Sequence, residues 1–262
     1  MKIITLLQGG LGNQLFQYAY GRALSLKYNA QLQLDLSFLT RNNVSRHGFT
    51  ARPFELDKYN LLKTKTYIPI ESYSIINDLS DTNNLQVNRN YYLEGYFHSE
   101  NYFKDYFDVI KQELTLKNPP NVNILENSCS LHIRRGDYVN IQDYHPLQPV
   151  SYYKKAIEEI YGENTENVNF YIFSDDIDWC VNNLKLENAN YITGGSNHDD
   201  LYMMSKCENN IIANSSFSWW AAYLNDNPNK KVVAPIKWFG ESYLKTHGEQ
   251  PQNLIPKTWK KI

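Results

Sequence analysis

The sharpest chemical feature of this chain is the run His132-Ile133-Arg134-Arg135-Gly136-Asp137, which follows directly on a buried strand reading of Ser128 to Ile133. A guanidinium is planar and forks onto two oxygens at once, so two arginines at a strand end suit a pyrophosphate. Each hydrogen bond to such a charge contributes about 1.5–3 kcal/mol. Alternation along the strand sends His132 and Arg134 to one face and Arg135 to the other. Arg134 reads as the phosphate ligand. Arg135 reads equally well as a second ligand or as the partner of Asp137 in a structural ion pair.

Three further groups could do chemistry. Asn214-Ser215-Ser216-Phe217-Ser218-Trp219-Trp220 joins a strand to a helix. Hydroxyls of Ser215, Ser216 and Ser218 beside free N–H groups at a helix start could cradle phosphate or ribose; plain helix capping explains the same residues. Asp200 could accept hydrogen bonds from a guanine edge, or could simply be an acid in a helix's first turn. Gly9-Gly10-Leu11-Gly12-Asn13-Gln14 is a glycine-rich turn that lets a ligand approach the backbone, with Asn13 and Gln14 able to reach sugar hydroxyls. It is neither G-x-G-x-x-G nor a P-loop. The six histidines show no H-x-H or H-x-x-x-H spacing, and Asp175-Asp176 lacks the gap of a D-x-D, so a metal is not expected.

These groups need elements to hold them. Lys2 to Gln8 reads as a strand. The helical stripe Leu15, Phe16, Ala19, Ala23, Leu24 follows, with Asn13 as its N-cap, and then a strand from Gln31 to Leu36. Leu39 to Asn90 is polar and weakly periodic and yields no order. Tyr91 to Tyr96 reads as a strand and Tyr102 to Leu114 as a helix. Asn118-Pro119-Pro120-Asn121 is the clearest break, which sets the expected domains at 1–120 and 121–262.

Beyond the break the chain alternates. Strands are expected at Ser128–Ile133, Val168–Phe173, Tyr191–Ile192, Asn210–Ala213 and Lys231–Ala234. Helices are expected at Ser151–Tyr161, Ile177–Leu184, Asp199–Cys207 and Phe217–Leu224, the last with Phe217, Trp220, Ala221 and Leu224 inward. Alternating strands and helices make a parallel, doubly wound sheet, which binds ligands beyond the carboxyl ends of its strands.

The bulk properties narrow the class. A net charge of -2 over 262 residues gives no field for nucleic acid. The cysteines, Cys129, Cys180 and Cys207, form no C-x-x-C and are odd in number, which fits a reducing compartment. No apolar run approaches the roughly 18–20 residues that span a bilayer, and the start lacks a secretory cleavage pattern, so a cytoplasmic protein is expected. The 21 tyrosines and 5 tryptophans offer faces that suit sugars, although a Tyr-rich core accounts for most of them.

Taken together, the stretches Gly9 to Ala19 and His132 to Tyr138 resemble the α-1,2-fucosyltransferases of glycosyltransferase family 11. Phe54-Glu55-Leu56, Leu93-Glu94-Gly95-Tyr96-Phe97, Phe173-Ser174-Asp175-Asp176 and Asn214 to Trp220 match as well, in the same order over roughly residues 3 to 240. His98 stands where members often carry Gln.

The resemblance implies an α/β, GT-B-like architecture of two Rossmann-type domains with parallel sheets facing an interdomain cleft. The first domain would be acceptor-side and the second would bind the GDP-sugar. It implies transfer from GDP-β-L-fucose, inversion at the anomeric carbon and no metal. Related fucosyltransferases place the position matching Arg134 on the β-phosphate, that of His132 near guanine, Asp200 at guanine and Ser216 at ribose or phosphate. Asn13 matches a residue near fucose. The expected donor set is His132, Arg134, Arg135, Asp175, Asp200, Asn214, Ser215, Ser216 and Phe217. Gly10, Gly12, Asn13, Gln14, Asp137, Glu94 and His98 are candidates for the cleft.

On this reading Arg134 is catalytic, because charge gathers on the departing β-phosphate as galactose O2 attacks fucose C1. Asp137, Glu94 and His98 are candidate general bases. No cofactor is expected beyond the GDP-fucose substrate. The expected partner is a galactose-terminated glycan, lipid-linked if the enzyme rests on the inner membrane face. Rivals are a transferase using another GDP- or UDP-sugar and a non-catalytic nucleotide- or glycan-binding module.

Overall fold

A computed structural model describes residues 1–46, 50–61, 65–66, 72–78 and 80–262. The chain divides into two compact units, Met1–Asn118 and Pro119–Ile262. The division falls at Asn118-Pro119, where proline removes a backbone donor and disfavours helix in the residue before it.

The first unit runs β1 (Lys2–Leu6), α1 (Leu11–Lys27), β2 (Gln31–Asp35), α2 (Ser37–Arg41), β3 (Lys65–Thr66), β4 (Ser74–Ile76), β5 (Tyr91–Leu93) and α3 (Phe107–Glu113). Its sheet has the order β3-β2-β1-β5-β4, with every pairing parallel. The order leaves β1 through β2 and β3 on one side and through β5 and β4 on the other. The winding therefore reverses between β1 and β5, which is where such sheets open a ligand crevice.

Helix α1 starts at Leu11 with Gly10 as its N-cap, so Asn13 is not the cap that the sequence suggests but the third residue of the helix. Gly9, at φ +76°, turns the chain early, a conformation that glycine takes without strain. Gly10 O then accepts from Asn13 N and Gln14 N. From Leu11 to Ser25 every residue of α1 is buried except Asn13. Arg22 enters this core only because Glu113 on α3 meets it at 2.8 Å, with Tyr18 Oη donating to the same carboxylate at 2.6 Å; a buried charge needs such pairing.

The second unit runs β6 (Ser128–Ile133), α4 (Val150–Tyr161), β7 (Asn169–Ser174), α5 (Ile177–Asn183), β8 (Ala189–Tyr191), α6 (Asn197–Lys206), β9 (Asn209–Ile211), α7 (Ser216–Leu224), β10 (Val232–Ala234), α8 (Glu241–His247) and β11 (Lys260–Lys261). Its all-parallel sheet has the order β11-β10-β9-β6-β7-β8, so its reversal lies between β6 and β9. Leu131, Ile133, Ile172 and Ile211 of the central strands pack with Tyr153, Ala156 and Ile160 of α4 to form the core. Two such units make the fold α/β and GT-B-like.

The alternating half matches its expected elements to within a few residues. The rest differs for identifiable reasons. Residues Tyr102 to Leu114 are not one helix: 3₁₀ turns at Glu100–Tyr102 and Lys104–Tyr106 precede α3. Strands β3, β4 and β11 are too short to show a period. In α7 the fully buried side chains include Trp219, and Phe217 and Leu224 are only half-buried. The cause is the C-terminal segment, where Leu254 O accepts from Trp219 Nε1 at 2.8 Å and Trp259 covers the indole.

A Cβ on Gly21 would collide with Thr5 Oγ1 and crowd Leu32, so Gly21 sets how closely α1 lies on β1. Gly21→Val should cost about 1–3 kcal/mol by overpacking, read as a lower midpoint in denaturant unfolding. An unchanged midpoint would show that the contact is loose.

Candidate functional site

The carboxyl end of β6 delivers Arg134 to the reversal point of the second sheet. Its Nη1 meets Asp175 Oδ2 at 2.7 Å and its Nη2 meets Asp137 Oδ1 at 2.6 Å. Its guanidinium carbon sits 5.2 Å from the centre of the Tyr138 ring. Asp175, at the end of β7, also accepts from Arg135 N at 2.8 Å. A Cβ on Gly136 would collide with that carboxylate, which explains the glycine. Asp175 and Asp137 therefore orient Arg134, and both are carboxylates that would repel a phosphate. The guanidinium has five N–H donors, so two ion pairs leave capacity for an anion.

Arg135 points elsewhere. Its Nε meets Asp176 Oδ2 at 2.8 Å and its guanidinium lies 4.1 Å over Trp179. Of the two readings open for Arg135, the structural ion pair is the one formed, with Asp176 and not Asp137, because Arg135 emerges on the side where Trp179 of α5 lies. Asp176 caps α5 through Trp179 N, and its carboxyl is held below the usual range first by the Arg135 hydrogen bond.

The loop after β9 lies across the reversal from β6. Tyr138 Oη donates to Asn214 O at 3.2 Å. Asn214 itself is 1% exposed; its amide donates to Pro146 O and Trp238 O, and its oxygen accepts from Gln148. Its side chain is thus committed to the loop and is not a ligand group. Ser215 stands at the N-cap of α7 but makes no side-chain cap, so capping does not explain its hydroxyl. Ser218 Oγ donates back to Ser215 O at 3.3 Å inside the core. Ser216 opens the helix, and Phe217 packs 5.4 Å from the His132 ring.

His132 is 5% exposed with a buried Nδ1 that has no hydrogen-bond partner. Burial, and then nearby Arg134, pulls its pKa down to about 3. His145 stacks on Tyr138 at 4.5 Å and 9°. It too has an unpartnered buried Nδ1, and burial lowers it to about 4, against a raising effect of Asp137. Spacing gave no hint of His145, because only the loop's return brings it beside Arg134.

Asp200 on α6 is in a similar position. Its neighbour Asp199 takes the capping role, in a reciprocal capping box with Ser196. Asp200 is left with a buried, unpartnered Oδ1 beside Gly195. Burial, and then Asp199, raise its pKa to about 6. Both acids lie in the first turn of α6, as the sequence suggests for Asp200, but only Asp199 is used as a cap.

In the first unit the first turn of α1 meets the loop after β5. Asn13 Oδ1 lies 3.0 Å from His98 Nε2, and Arg52 lies against Gly10. Gly12 is buried in the first turn of α1, and Glu94 is exposed. Gln14 is not available to a sugar. It is wholly buried, donating to Gly9 O and Pro53 O and accepting from Glu55 N. Among the described residues no group of three His, Cys, Asp or Glu could hold a metal ion, and no helix is long and apolar enough to cross a membrane.

Comparison with known proteins completes the description. Residues 62–262 match the family described as glycosyl transferase family 11. The chain is 31% identical to an alpha-1,2-colitosyltransferase of Escherichia coli over 97% of its length and 98% of that protein's. It is 33% identical to the O-antigen biosynthesis glycosyltransferase WbnK of the same species over 89% and 93%. A galactoside alpha-(1,2)-fucosyltransferase 1 of Bos taurus is 23% identical over 83% and 64%. In fold, the chain is similar to the fucosyltransferase NodZ from Bradyrhizobium, with TM-score 0.51 and 11% identity over 87% of this chain and 96% of that one.

Both buried imidazoles should stay neutral in mildly acidic solution. Unfolded, they take up protons near pH 6.5; folded, they do so only near pH 3 and pH 4. The stability they carry is thus present above pH 6.5 and is lost as pH falls. Long-range ¹H–¹⁵N spectra at pH 5 should show His132 and His145 unprotonated; protonated signals at that pH would contradict the burial assigned to them.

Proposed function

The chain belongs to glycosyl transferase family 11, and from that membership we propose that it is an inverting α-1,2-fucosyltransferase moving L-fucose from GDP-β-L-fucose to O2 of a β-galactoside. The observation that carries the reading is Arg134, fixed by two carboxylates at the reversal point of the second sheet with the start of α7 across from it. The second unit is then the donor side and the first unit the acceptor side. The named relatives that transfer fucose or colitose in α-1,2 linkage support the linkage.

In the proposed reaction galactose O2 attacks fucose C1 and gives up its hydroxyl proton to a general base or to an oxygen of the departing phosphate, the C1–O bond to the β-phosphate breaks, and the electron pair leaves with GDP. The transition state is oxocarbenium-like. Negative charge grows on the β-phosphate, so Arg134 holds the transition state more tightly than the ground state. Arg134 thereby does what a divalent cation does in other transferases, and no metal is invoked. Ser215 and Ser216 with the first turn of α7 add donors for phosphate or ribose. The guanine N1–H and N2–H₂ are donors, and the orphaned Oδ1 of Asp200 is an acceptor in a buried place. His132, neutral, packs against Phe217 at 5.4 Å. Asp137, engaged by Arg134, is a weaker base candidate than the sequence suggests. The working place is the cytoplasm, at the inner membrane face if the acceptor is lipid-linked.

The colitosyltransferase relative, matched over nearly the whole chain, favours a second reading in which the transferred sugar is colitose. Incubation with lactose and either GDP-fucose or GDP-colitose, followed by NMR of the product, separates the two. An α-1,2-fucosyl linkage is expected, and its absence with GDP-fucose would end the first reading.

Arg134→Ala should lower kcat about 10²–10³-fold, in line with loss of a transition-state donor, while circular dichroism shows a folded protein. Near-normal kcat would remove Arg134 from its role. For Asp200 the sign is also set. The ionised carboxylate accepts from both guanine N–H groups at once and more strongly than the acid, which keeps a single good acceptor oxygen; it ionises near pH 6, so GDP should bind more tightly as pH rises from 5 to 7. Asp200→Asn should weaken binding about tenfold and flatten the profile. Calorimetry with GDP across that range checks both.

A further inference from the structure

The loop after β5 is built against local preference. Phe97 is a buried non-glycine residue at φ +53°, a conformation that costs roughly 1–2 kcal/mol for a side chain of its size. Asp78 holds it there. One of its carboxylate oxygens accepts from Phe97 N at 2.5 Å and the other from Tyr96 N at 3.2 Å. A Cβ on Gly95 would collide with that second oxygen. Gln17, from inside α1, donates to Gly95 O at 3.1 Å, and Tyr20 and Tyr102 pack on the Phe97 ring. The Phe97 ring is turned into the core, and its neighbours on either side are turned out of it.

What this fastening exposes is a pair of stacked rings. Tyr96 is 42% exposed and lies 5.3 Å from the His98 ring at 26°. His98 is backed by Phe16 of α1 at 5.0 Å and meets Asn13 at 3.0 Å. The rings follow β5 and Asn13 follows β1, the two strands between which the first sheet reverses. Asn13 is also the one residue of Leu11–Ser25 that is not buried. An exposed aromatic face, stiffened from behind and flanked by an amide, has the two things that a pyranose ring needs: a flat apolar surface for its C–H face and hydrogen-bonding groups for its hydroxyls.

We propose that Tyr96, stacked on His98 and flanked by Asn13, is a platform for a sugar ring of the acceptor glycan, and that the Asp78 clamp on Phe97 exists to present it. The proposal rests on the transferase reading for the word acceptor, but sugar binding by the first unit can be measured without any transfer. It makes Tyr96 a specificity residue: a sugar with a continuous C–H face, such as β-galactose, stacks on it, and one whose face is broken by axial hydroxyls does not.

The test is saturation-transfer NMR of the full-length protein with methyl β-D-galactoside and a set of other methyl glycosides, without nucleotide. The wild type should saturate the C–H face of at least one of them. Tyr96→Ala should weaken its binding about tenfold, while Tyr96→Phe and Tyr96→Trp retain it. Where transfer to lactose is measured, Tyr96→Ala should raise the acceptor KM by a similar factor and leave the KM for GDP-fucose within about twofold. No saturation by any glycoside in the wild type, equal saturation in Tyr96→Ala, or a rise in both KM values together would overturn the proposal. Failure of GDP-fucose to react, with sugar binding intact, would strike the transferase reading instead.

Discussion

A single guanidinium shared between two carboxylates organises the second unit. Arg134 leaves β6 with little covalent constraint on its long side chain. Asp175 from the neighbouring strand end and Asp137 from the following turn supply that constraint at 2.7 and 2.6 Å. Asp175 can do so only because Gly136 has no side chain, and because its other oxygen is already tied to the backbone of Arg135. The same contacts set the direction of Tyr138, on which Arg134 rests and through which the loop after β9 is joined at Asn214. Without the two carboxylates Arg134 would be a flexible charge, and preorganisation is what separates catalytic electrostatics from mere attraction.

The polar residues of the two units fall into groups doing opposite things. Gln14 and Asn214 look like ligand-binding groups in sequence, yet each, like Gln17, is buried with its amide bonded to backbone. They satisfy carbonyls and N–H groups of irregular loops that no sheet or helix partner could reach, which is how a loop is held to a fixed shape. His132 and Asp200 are buried without that satisfaction. A buried unpaired polar atom costs about 1–3 kcal/mol, and His145 carries another in the same unit.

The first unit repeats the pattern with strain added. Its sheet reverses between β1 and β5, and the helix that follows β1 meets the loop that follows β5 through Asn13 and His98. The aspartate that holds Phe97 in its unusual conformation lies far from any recognisable motif, in a stretch whose polarity alone suggests nothing. Local preference is overridden here, and the override is visible as a specific dihedral angle and the carboxylate that enforces it.

The amino-acid sequence alone determined the class of fold, the elements of the second half and the place of Arg134 at a strand end. Those depend on periods of hydrophobicity, on proline and glycine punctuation, and on one dense run of charge, all of which are local. It also brought out Gly9 to Gln17 and Asn214 to Trp220 as stretches of consequence. Which of their residues face a ligand and which are fastened to backbone was decided only by the tertiary structure, since Gln14 meets Pro53 and Asn214 meets Trp238 across long chain separations. The partner of Arg135, the orphaning of Asp200 by its neighbour and the arrival of His145 beside Arg134 are likewise products of packing. Each turns on which element covers which face of a sheet, and a run of residues carries no record of that until the strands have paired.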